Sequence, residues 1–378
     1  MGPVEVSSPR RRYITLDGLR GIAALAVVLH HLGGSLAYRP MEAYLAVDLF
    51  FVLSGFVLAE AYEPRLQAGL GAKGFSLIRL ARFYPLYILA TAFAVLFRLW
   101  HLWKVYLGLA LSLLKFPLVA SPLYPFFADL AFALLLMPAP LAASLFPFDE
   151  PAWSLAWELG INVAWARLRP WLSTRNLAIL IALAGANLIF CGLHGAPGVE
   201  PGRLVPGLGG GSAWGWLHIW NGFSRVAFSF SLGLLLHRLP RGGVPMVPPI
   251  LLAGVLALAL CFPVPQAAAW RAGYDLAFVL MLSPLLVLLG SAAEPQGPNL
   301  RWFFAELGAL SYPIYILHVP LGAALEHACH SFSGFGLEGL APWGGLALLG
   351  ALIGASAVLG RFYDRPVRRW LRRAWGVG

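Results

Sequence analysis

Long apolar segments recur along almost the whole chain and are separated by short stretches that carry charge, glycine or proline. Most of them approach the roughly 20 apolar residues that an α-helix needs to cross a bilayer. The segments lie at 15–36, 43–62, 83–102, 152–168, 176–194, 213–237, 248–263, 271–290, 302–326 and 341–362. Because backbone polar groups inside a bilayer have to bond within their own segment, this pattern predicts an all-α, polytopic bundle of about ten transmembrane helices.

The interval 104–146 departs from this pattern. It holds two apolar pieces that are interrupted by Lys115, Asp129 and the prolines between them. They form either two further spans or a re-entrant hairpin. Both alternatives keep the number of crossings even, so both place the two termini on the same side of the membrane.

Composition supports the membrane assignment and excludes other classes of protein. Of the 378 residues, 59% are hydrophobic and only 12% are charged, whereas soluble domains carry about 25% charged residues. A soluble globule cannot bury such an excess of apolar side chains, and a disordered chain needs low hydrophobicity. The three cysteines show no CxxC spacing, so we expect neither a disulfide framework nor a zinc site.

The charge of the chain is uneven along its length. It has 27 basic and 17 acidic residues, for a formal net charge of +10. The basic residues crowd the segment before the first span, the loops after alternate spans and the C-terminal tail. This asymmetry predicts that both termini are cytoplasmic. It also makes the bilayer, and not nucleic acid, the expected partner of the basic residues.

Ionisable residues inside the first span need an explanation, because each costs about 2.5–3.5 kcal/mol to insert. Arg20 and His31 are eleven residues apart, which is three helical turns plus about 20°, so they share one face about 16.5 Å apart along the axis. His30 points away from that face. The alternative is that Arg20 reaches the phosphates of the inner leaflet and that His31 is a satisfied buried histidine.

The second and third spans carry further charges. Asp48 lies near the start of its span and about two turns from Gly55, where a small residue admits a neighbouring helix. Asp48 is alternatively the N-cap of that helix. Arg79 and Arg82 are neighbours on one helical face at a membrane boundary, where they either bind phosphate groups or anchor the helix as positive-inside residues.

Polar residues also occur in three later spans. Ser154 and Glu158 stack one turn apart, and Glu158 lies too far in to be only a cap, so it is paired, protonated or catalytic. Arg225 lies within an apolar span. Tyr315 and His318 share a face of a later helix.

Several familiar catalytic patterns are missing from the sequence. It has no GxSxG elbow, no Walker loop and no HExxH motif. Glu326, His327 and His330 are spaced too loosely for a metal site, so we expect no metal.

In order along the chain, these motifs resemble those of the membrane-bound acyltransferase family 3, whose members decorate bacterial polysaccharides and other glycans. The matching elements are Arg20 with His31, 47–56, Arg79 with Arg82, 153–158, 311–320 and 363–366. The resemblance covers nearly the whole chain. It implies a single acyltransferase domain over 1–378, and we expect no appended SGNH-type domain.

The resemblance implies an acyl-CoA-dependent O-acyltransferase of the bacterial inner membrane. Such an enzyme moves an acyl group, usually acetyl, from cytoplasmic acyl-CoA to a hydroxyl of a saccharide or glycoconjugate at the outer face. It holds no permanently bound cofactor, because acyl-CoA is a co-substrate.

The same resemblance implies roles for particular residues. Arg20, Arg79 and Arg82 bind the donor, and His31 and Glu158 are catalytic. His31 is either the general base for the acceptor hydroxyl or the carrier of a transient acyl group, and Glu158 orients the imidazole or the acceptor. Further functional candidates are Asp48, Ser54, Ser154, Arg225, Tyr315 and His318.

Two other functions compete with acyl transfer. A transporter or flippase for an envelope glycan precursor would also need buried charges, but it commonly shows internal repeats, which this sequence lacks. A structural subunit of an envelope-polysaccharide machine would be free to lose the charged residues, and here they are all present.

Overall fold

A computed structural model of the chain describes residues 12–106, 123–194, 208, 216–240, 242–265, 270–333 and 336–377. Within these ranges the regular structure is helical and no strand occurs. The helices are α1 (Ile14–His31), α2 (Ala46–Gln67), α3 (Ala72–Tyr106), α4 (Leu123–Leu134), α5 (Ala152–Leu168), α6 (Thr174–His194), α7 (Trp216–Arg238), α8 (Pro249–Cys261), α9 (Arg271–Ala292), α10 (Pro298–Ser333), α11 (Trp343–Leu359) and α12 (Arg365–Ala374). A π-helical turn (Gly360–Asp364) joins α11 to α12.

The polytopic helical bundle expected from the hydrophobic pattern is confirmed. Eight of the described helices are long and apolar enough to cross a membrane, namely α1, α2, α3, α6, α7, α9, α10 and α11 with its extension through α12. The two remaining segments of the sequence pattern fall on shorter helices. These are α5, with 17 residues, and α8, with 13. At 1.5 Å per residue, α8 is about 20 Å long, which is less than the thickness of a bilayer core.

The interval 104–146 is described only in part. Residues 107–122 lie outside the described residues. The two alternatives for this interval, two spans or a re-entrant hairpin, depend on those residues and stay open. The described part contains 12 residues of a helix, α4 (Leu123–Leu134).

Glycines let two pairs of helices approach until their backbones touch. A Cβ atom at Gly55 of α2 would lie 2.1 Å from the carbonyl oxygen of Phe230 on α7, and one at Gly233 would lie 2.2 Å from the carbonyl oxygen of Val52. Any larger residue would force the two helices apart. Close packing of small residues is the usual way in which helices associate inside a membrane, where apolar burial gives little gain.

The first helix packs against α10 in the same manner. A Cβ atom at Gly21 would lie 2.6 Å from the backbone of Leu307, and one at Gly308 would lie 2.5 Å from Asp17. These contacts hold the polar face of α1 directly against α10. They therefore determine which side chains of α10 can reach Arg20 and His31.

Candidate active site

A cavity of about 140 Å³, here called the central cavity, lies among α1, α2, α3, α5 and α10. Its polar lining consists of Arg20, Ser54, Arg79, Arg82, Ser154, Glu158, Ser311, Tyr312 and Tyr315. Most of the residues singled out in the sequence therefore converge on one place, although they come from five helices. His31, His318, Asp48 and Arg225 do not line this cavity.

Glu158 is held by two donors from neighbouring helices. Arg79 donates from Nη2 to Oε1 of Glu158 at 3.0 Å, and Ser54 donates to the same oxygen at 2.7 Å. The guanidinium of Arg79 also lies over the ring of Phe83, 4.5 Å from its centroid. Of the three states that the sequence allows for Glu158, the structure shows the paired one.

Arg79 retains an unused donor. Its Nε is buried and has no hydrogen-bond partner among the described residues. A buried donor without an acceptor costs about 1–3 kcal/mol. An acceptor atom of a ligand placed beside this N–H group would remove that cost.

Arg20 is fixed against α10. Its Nε donates to Oγ of Ser311 at 2.9 Å, and its Nη2 donates to the carbonyl oxygen of Gly308 at 3.2 Å and to Oδ1 of Asp17 at 2.9 Å. These bonds favour a role at the cavity over free contact with lipid phosphates. The side chain of Arg20 remains 31% exposed.

A second, open cavity of about 400 Å³ adjoins the first and is here called the arginine cleft. Its basic lining consists of Arg12, Arg20, Arg82, Arg361, Arg365 and Arg368, and its acidic lining of Asp17, Glu306 and Asp364. Arg20 and Arg82 line both spaces, so the cleft and the central cavity are neighbours. The sequence did not mark Arg361, Arg365 and Arg368 as site residues, although the motif at 363–366 lies among them.

Tyr312 lines the central cavity and contacts two arginines of the cleft. The guanidinium groups of Arg82 and Arg368 each lie 5.5 Å from the centroid of its ring. Arg368 also pairs with Asp364. Among the described residues, no carboxylate lies within ion-pair distance of Arg82, so its charge is available to an anionic ligand.

His31 pairs with another histidine and not with Glu158. Nε2 of His318 lies 3.1 Å from Nδ1 of His31, and the two ring centroids are 4.7 Å apart. His318 is 2% exposed, whereas His31 is exposed at the end of α1. Arg20 and His31 thus both contact α10, as expected of residues that share one face of α1.

Tyr315 connects the histidine pair to the central cavity. Its ring lies 6.1 Å from that of His318, and its hydroxyl lies 2.7 Å from Oγ of Ser154. Phe50 packs edge-on against Tyr315 at 5.5 Å between ring centroids. Phe50 and Tyr315 both line the cavity as well.

Asp48 and Arg225 form a fully buried ion pair. Nε of Arg225 lies 3.1 Å from each carboxylate oxygen of Asp48, and both side chains are 0% exposed. Arg225 also donates to the carbonyl oxygens of Tyr44 at 2.9 Å and Leu208 at 3.1 Å. The N-cap alternative for Asp48 is wrong, because the residue before α2 is Leu45 and no side chain caps the helix.

The sequence did not reveal a polar network beside this ion pair. Arg271 donates to both carboxylate oxygens of Glu42, at 3.2 and 3.0 Å, and Tyr44 donates to Asp275 at 2.6 Å. A signal for it existed, because Asp275 lies within the predicted span 271–290 and a charge there requires a partner.

Comparison with known proteins adds an independent observation. A family model described as an acyltransferase domain matches residues 13–361. Protein 2 in the picA locus of Rhizobium radiobacter is 40% identical over 191 residues, which is 48% of this chain and 95% of that protein. The acyltransferase MdmB of Streptomyces mycarofaciens is 26% identical over 387 residues, which is 96% of this chain and 93% of that protein.

The peptidoglycan O-acetyltransferase OatA of Listeria monocytogenes is also similar. It is 25% identical over 338 residues, which is 82% of this chain and 50% of OatA. This chain therefore aligns with about half of the length of OatA. No solved structure matches. Among the described residues, no group of three His, Cys, Asp or Glu side chains is placed to hold a metal ion.

Proposed function

This chain belongs to the membrane-bound acyltransferase family 3, and from that premise we propose that it carries an acyl group from cytoplasmic acyl-CoA to a saccharide hydroxyl at the opposite face of the membrane. Acetyl is the group we propose, since OatA is named an O-acetyltransferase. The observation that carries the proposal is the convergence of Arg20, Arg79, Arg82 and Glu158 on one cavity that adjoins an arginine-lined cleft.

The arginine cleft suits the nucleotide part of coenzyme A. Coenzyme A carries a pyrophosphate and a 3′-phosphate, and arginine forks bind phosphate oxygens in pairs. At about 400 Å³ the cleft lies within the range of about 300–1,000 Å³ of small-molecule sites. We therefore assign the phosphate contacts to Arg20, Arg82 and Arg368.

The central cavity suits the other end of the donor. With about 140 Å³ it is too small for the nucleotide, and we assign to it part of the thin pantetheine arm, which continues toward the thioester. The unpartnered Nε–H of Arg79 offers a hydrogen bond to an oxygen of that arm. Because Arg79 lines the central cavity and does not line the arginine cleft, we assign Arg79 to the arm and not to the phosphates.

His31 completes the reaction in this proposal. Its imidazole removes the proton from the acceptor hydroxyl, and the resulting oxygen attacks the thioester carbonyl. The new C–O bond forms, the C–S bond breaks, and the proton passes from His31 to the departing coenzyme A sulfur. An acyl group carried on His31 would divide the transfer into two half-reactions, and an acyl-enzyme formed from acyl-CoA alone would be its sign.

The arrangement along α1 supports this division of labour. Arg20 lies at the cleft and His31 about 16.5 Å further along the helix. An extended thioester arm spans such a distance. We infer that the donor enters at the arginine end of the bundle and that the acceptor meets the thioester at the histidine end, where His31 is exposed.

The test is release of coenzyme A by the purified protein in lipid nanodiscs, with radiolabelled acetyl-CoA, with and without glycan acceptors. We expect glycan-stimulated release by the wild type and by His30→Gln, and none by His31→Gln. His30 is the matched control, because it adjoins His31 in sequence but its ring lies against Pro40. Equal release by His31→Gln would remove His31 from the chemistry.

Transport of a polar solute is the alternative function, and donor binding separates it from acyl transfer. A ligand that binds only the folded state raises the unfolding temperature as its concentration increases. We expect saturable stabilisation by acetyl-CoA. Absence of both stabilisation and release would favour transport.

A further inference from the structure

We propose that His318 is a positioning residue that holds His31 in the tautomer with its proton on Nδ1. The lone pair is then left on Nε2, which becomes the nitrogen that takes the proton of the acceptor. This inference rests on the proposed function only for the role of His31 as base. The tautomer itself follows from the contacts of the two rings.

The first step concerns His318 alone. Its Nδ1 lies 2.7 Å from the carbonyl oxygen of Tyr315 and 3.2 Å from that of Ile314. Both oxygens accept hydrogen bonds and cannot donate them, so Nδ1 carries the proton. In a neutral ring the other nitrogen, Nε2, is then a bare acceptor.

The second step transfers this constraint to His31. Nδ1 of His31 lies 2.9 Å from the carbonyl oxygen of Val27 and 3.1 Å from Nε2 of His318. Both neighbours are acceptors, so an unprotonated Nδ1 would place its lone pair against two others. Nδ1 therefore donates, and Nε2 of His31 keeps the lone pair.

The third step excludes a charged His318. The ring is 2% exposed, and no carboxylate among the described residues is bonded to it. A buried cation without a partner is costly. A positively charged His318 would also carry a proton on Nε2. That proton would point at Nδ1 of His31, which already faces the carbonyl oxygen of Val27.

The helices keep the two rings in this relation. Val27 and His31 are one turn apart on α1, and Ile314 and His318 are one turn apart on α10, so each ring bonds to a carbonyl of its own helix. The glycine contacts between α1 and α10 keep the helices close enough for the rings to meet. The tautomer of His31 is therefore set jointly by the carbonyl oxygen of Val27 and by Nε2 of His318, whose own proton on Nδ1 is held by the backbone of α10.

The bond also has a catalytic consequence. When Nε2 of His31 takes the proton, the imidazole becomes a cation, and its Nδ1–H group donates more strongly to His318. A base that is held in one tautomer and one orientation needs little reorganisation to reach the transition state. General-base catalysis of this kind contributes about 10²–10⁴-fold to the rate.

Two variants separate positioning from mere packing. In His318→Gln the side-chain amide reaches the position that Nε2 of His318 occupies, and its oxygen accepts from His31. In His318→Asn the shorter side chain reaches only the position of Nδ1. We expect His318→Asn to lower kcat about 10²-fold or more while the KM for acetyl-CoA stays within a few-fold, and His318→Gln to retain most of the activity. Thermal unfolding of each variant is measured alongside.

The direct measurement is a ¹⁵N spectrum of the protein with labelled histidine, in which protonated and bare ring nitrogens have separate shifts. The His31 signals are identified by their loss in His31→Gln. We expect wild-type His31 to be protonated at Nδ1. In His318→Asn only the carbonyl oxygen of Val27 still accepts from Nδ1, so we expect a larger share of the Nε2–H form than in the wild type. Protonation of wild-type His31 at Nε2 would overturn the inference even if neither variant folds.

The acetyl-transfer assay and the ¹⁵N spectrum test different claims, namely the proposed function and the tautomer of His31. A wild type with the Nδ1–H form but no acetyl transfer would contradict the proposed function and leave the tautomer intact. A wild type that transfers acetyl and is unaffected by His318→Asn would contradict the positioning role. Equal losses of kcat in His318→Gln and His318→Asn, with both proteins folded, would contradict it as well.

Discussion

Arg79 donates to Glu158 across 3.0 Å and so joins α3 to α5 at the wall of the central cavity. The two side chains are only 11% and 19% exposed. Their charges therefore interact under weaker solvent screening than a surface pair. Because the pair lines the cavity, its loss affects both the shape and the charge of the proposed donor site.

Replacement of Glu158 by Gln tests the function of this ion pair. Gln keeps the volume of the side chain but no longer offsets the charge of Arg79, so the guanidinium loses its orientation. We expect kcat/KM for acetyl transfer to fall about 10²-fold, in line with the loss of a hydrogen bond between charged groups. The matched control is Glu63→Gln, because Glu63 also pairs with an arginine, Arg238, but does not line the cavity. Equal effects of the two substitutions would contradict a specific role.

The arginine cleft makes a prediction about donor affinity. We expect Arg368→Gln to raise the KM for acetyl-CoA about 10- to 100-fold with little change in kcat, because a hydrogen bond to a charged group contributes about 1.5–3 kcal/mol. Arg369→Gln is the matched control, since it removes the same charge from α12 and Arg369 does not line the cleft.

A truncated donor tests which phosphate of coenzyme A Arg368 contacts. Acetyl-dephospho-CoA lacks the 3′-phosphate. If Arg368 contacts that phosphate, the KM values of Arg368→Gln and the wild type differ less with this donor than with acetyl-CoA. A KM that rises equally in Arg368→Gln and Arg369→Gln would indicate only a general attraction of the basic surface for anions. Added salt would then reduce both effects in parallel.

The ion pair of Asp48 and Arg225 predicts non-additive stability. Loss of one partner leaves an uncompensated charge and costs about 3–5 kcal/mol, whereas loss of both is far better tolerated. We expect Arg225→Met to lower the unfolding temperature markedly and Asp48→Leu with Arg225→Met to recover most of the loss. The measurement is thermal unfolding in one detergent. A double variant as unstable as the sum of its singles would contradict the prediction.

Asp149, in the loop between α4 and α5, predicts a pH-dependent stability. Both of its carboxylate oxygens are buried without a partner among the described residues. Burial, and then the nearby charge of Glu150, raises the pKa of Asp149 well above its usual range. The folded state therefore binds a proton more tightly than the unfolded state, and stability is lost as the pH rises from the unfolded pKa of about 3.9.

We therefore expect Asp149→Asn to raise the unfolding temperature at pH 8, with a difference that vanishes near pH 4. Asp129→Asn is the matched control in the same region. The carboxylate of Asp129 accepts a hydrogen bond from the backbone N–H of Leu141 at 2.9 Å, so its replacement should destabilise. If Asp149→Asn were equally destabilising at pH 8, Asp149 would be ionised and paired in the folded protein.

The sequence was informative about the relative positions of residues that lie on the same helix. Arg20 and His31 share a face because 3.6 residues make a turn, and both do contact α10. The identity of the charged residues was also apparent, because each charge inside an apolar span stands out against its neighbours. The order of the motifs along the chain led to the family, which the comparison confirmed.

Other relations depend on how helices pack. From the sequence, Glu158 was a candidate to orient His31, but in the structure it accepts from Ser54 and Arg79. The partner of His31 is His318, 287 residues further along the chain. Periodicity defines the face on which a residue lies, but it does not define which helix covers that face.

The bilayer explains what the sequence determined by itself. Every crossing requires a long apolar helix, so the class of fold, the approximate spans and the buried charges are written into the local pattern. Only the tertiary structure decided the partners of those charges, the division between central cavity and arginine cleft, and the tautomer of His31. The physical reason is that these depend on contacts between helices distant in sequence, where glycines such as Gly21 and Gly55 set how closely two backbones approach.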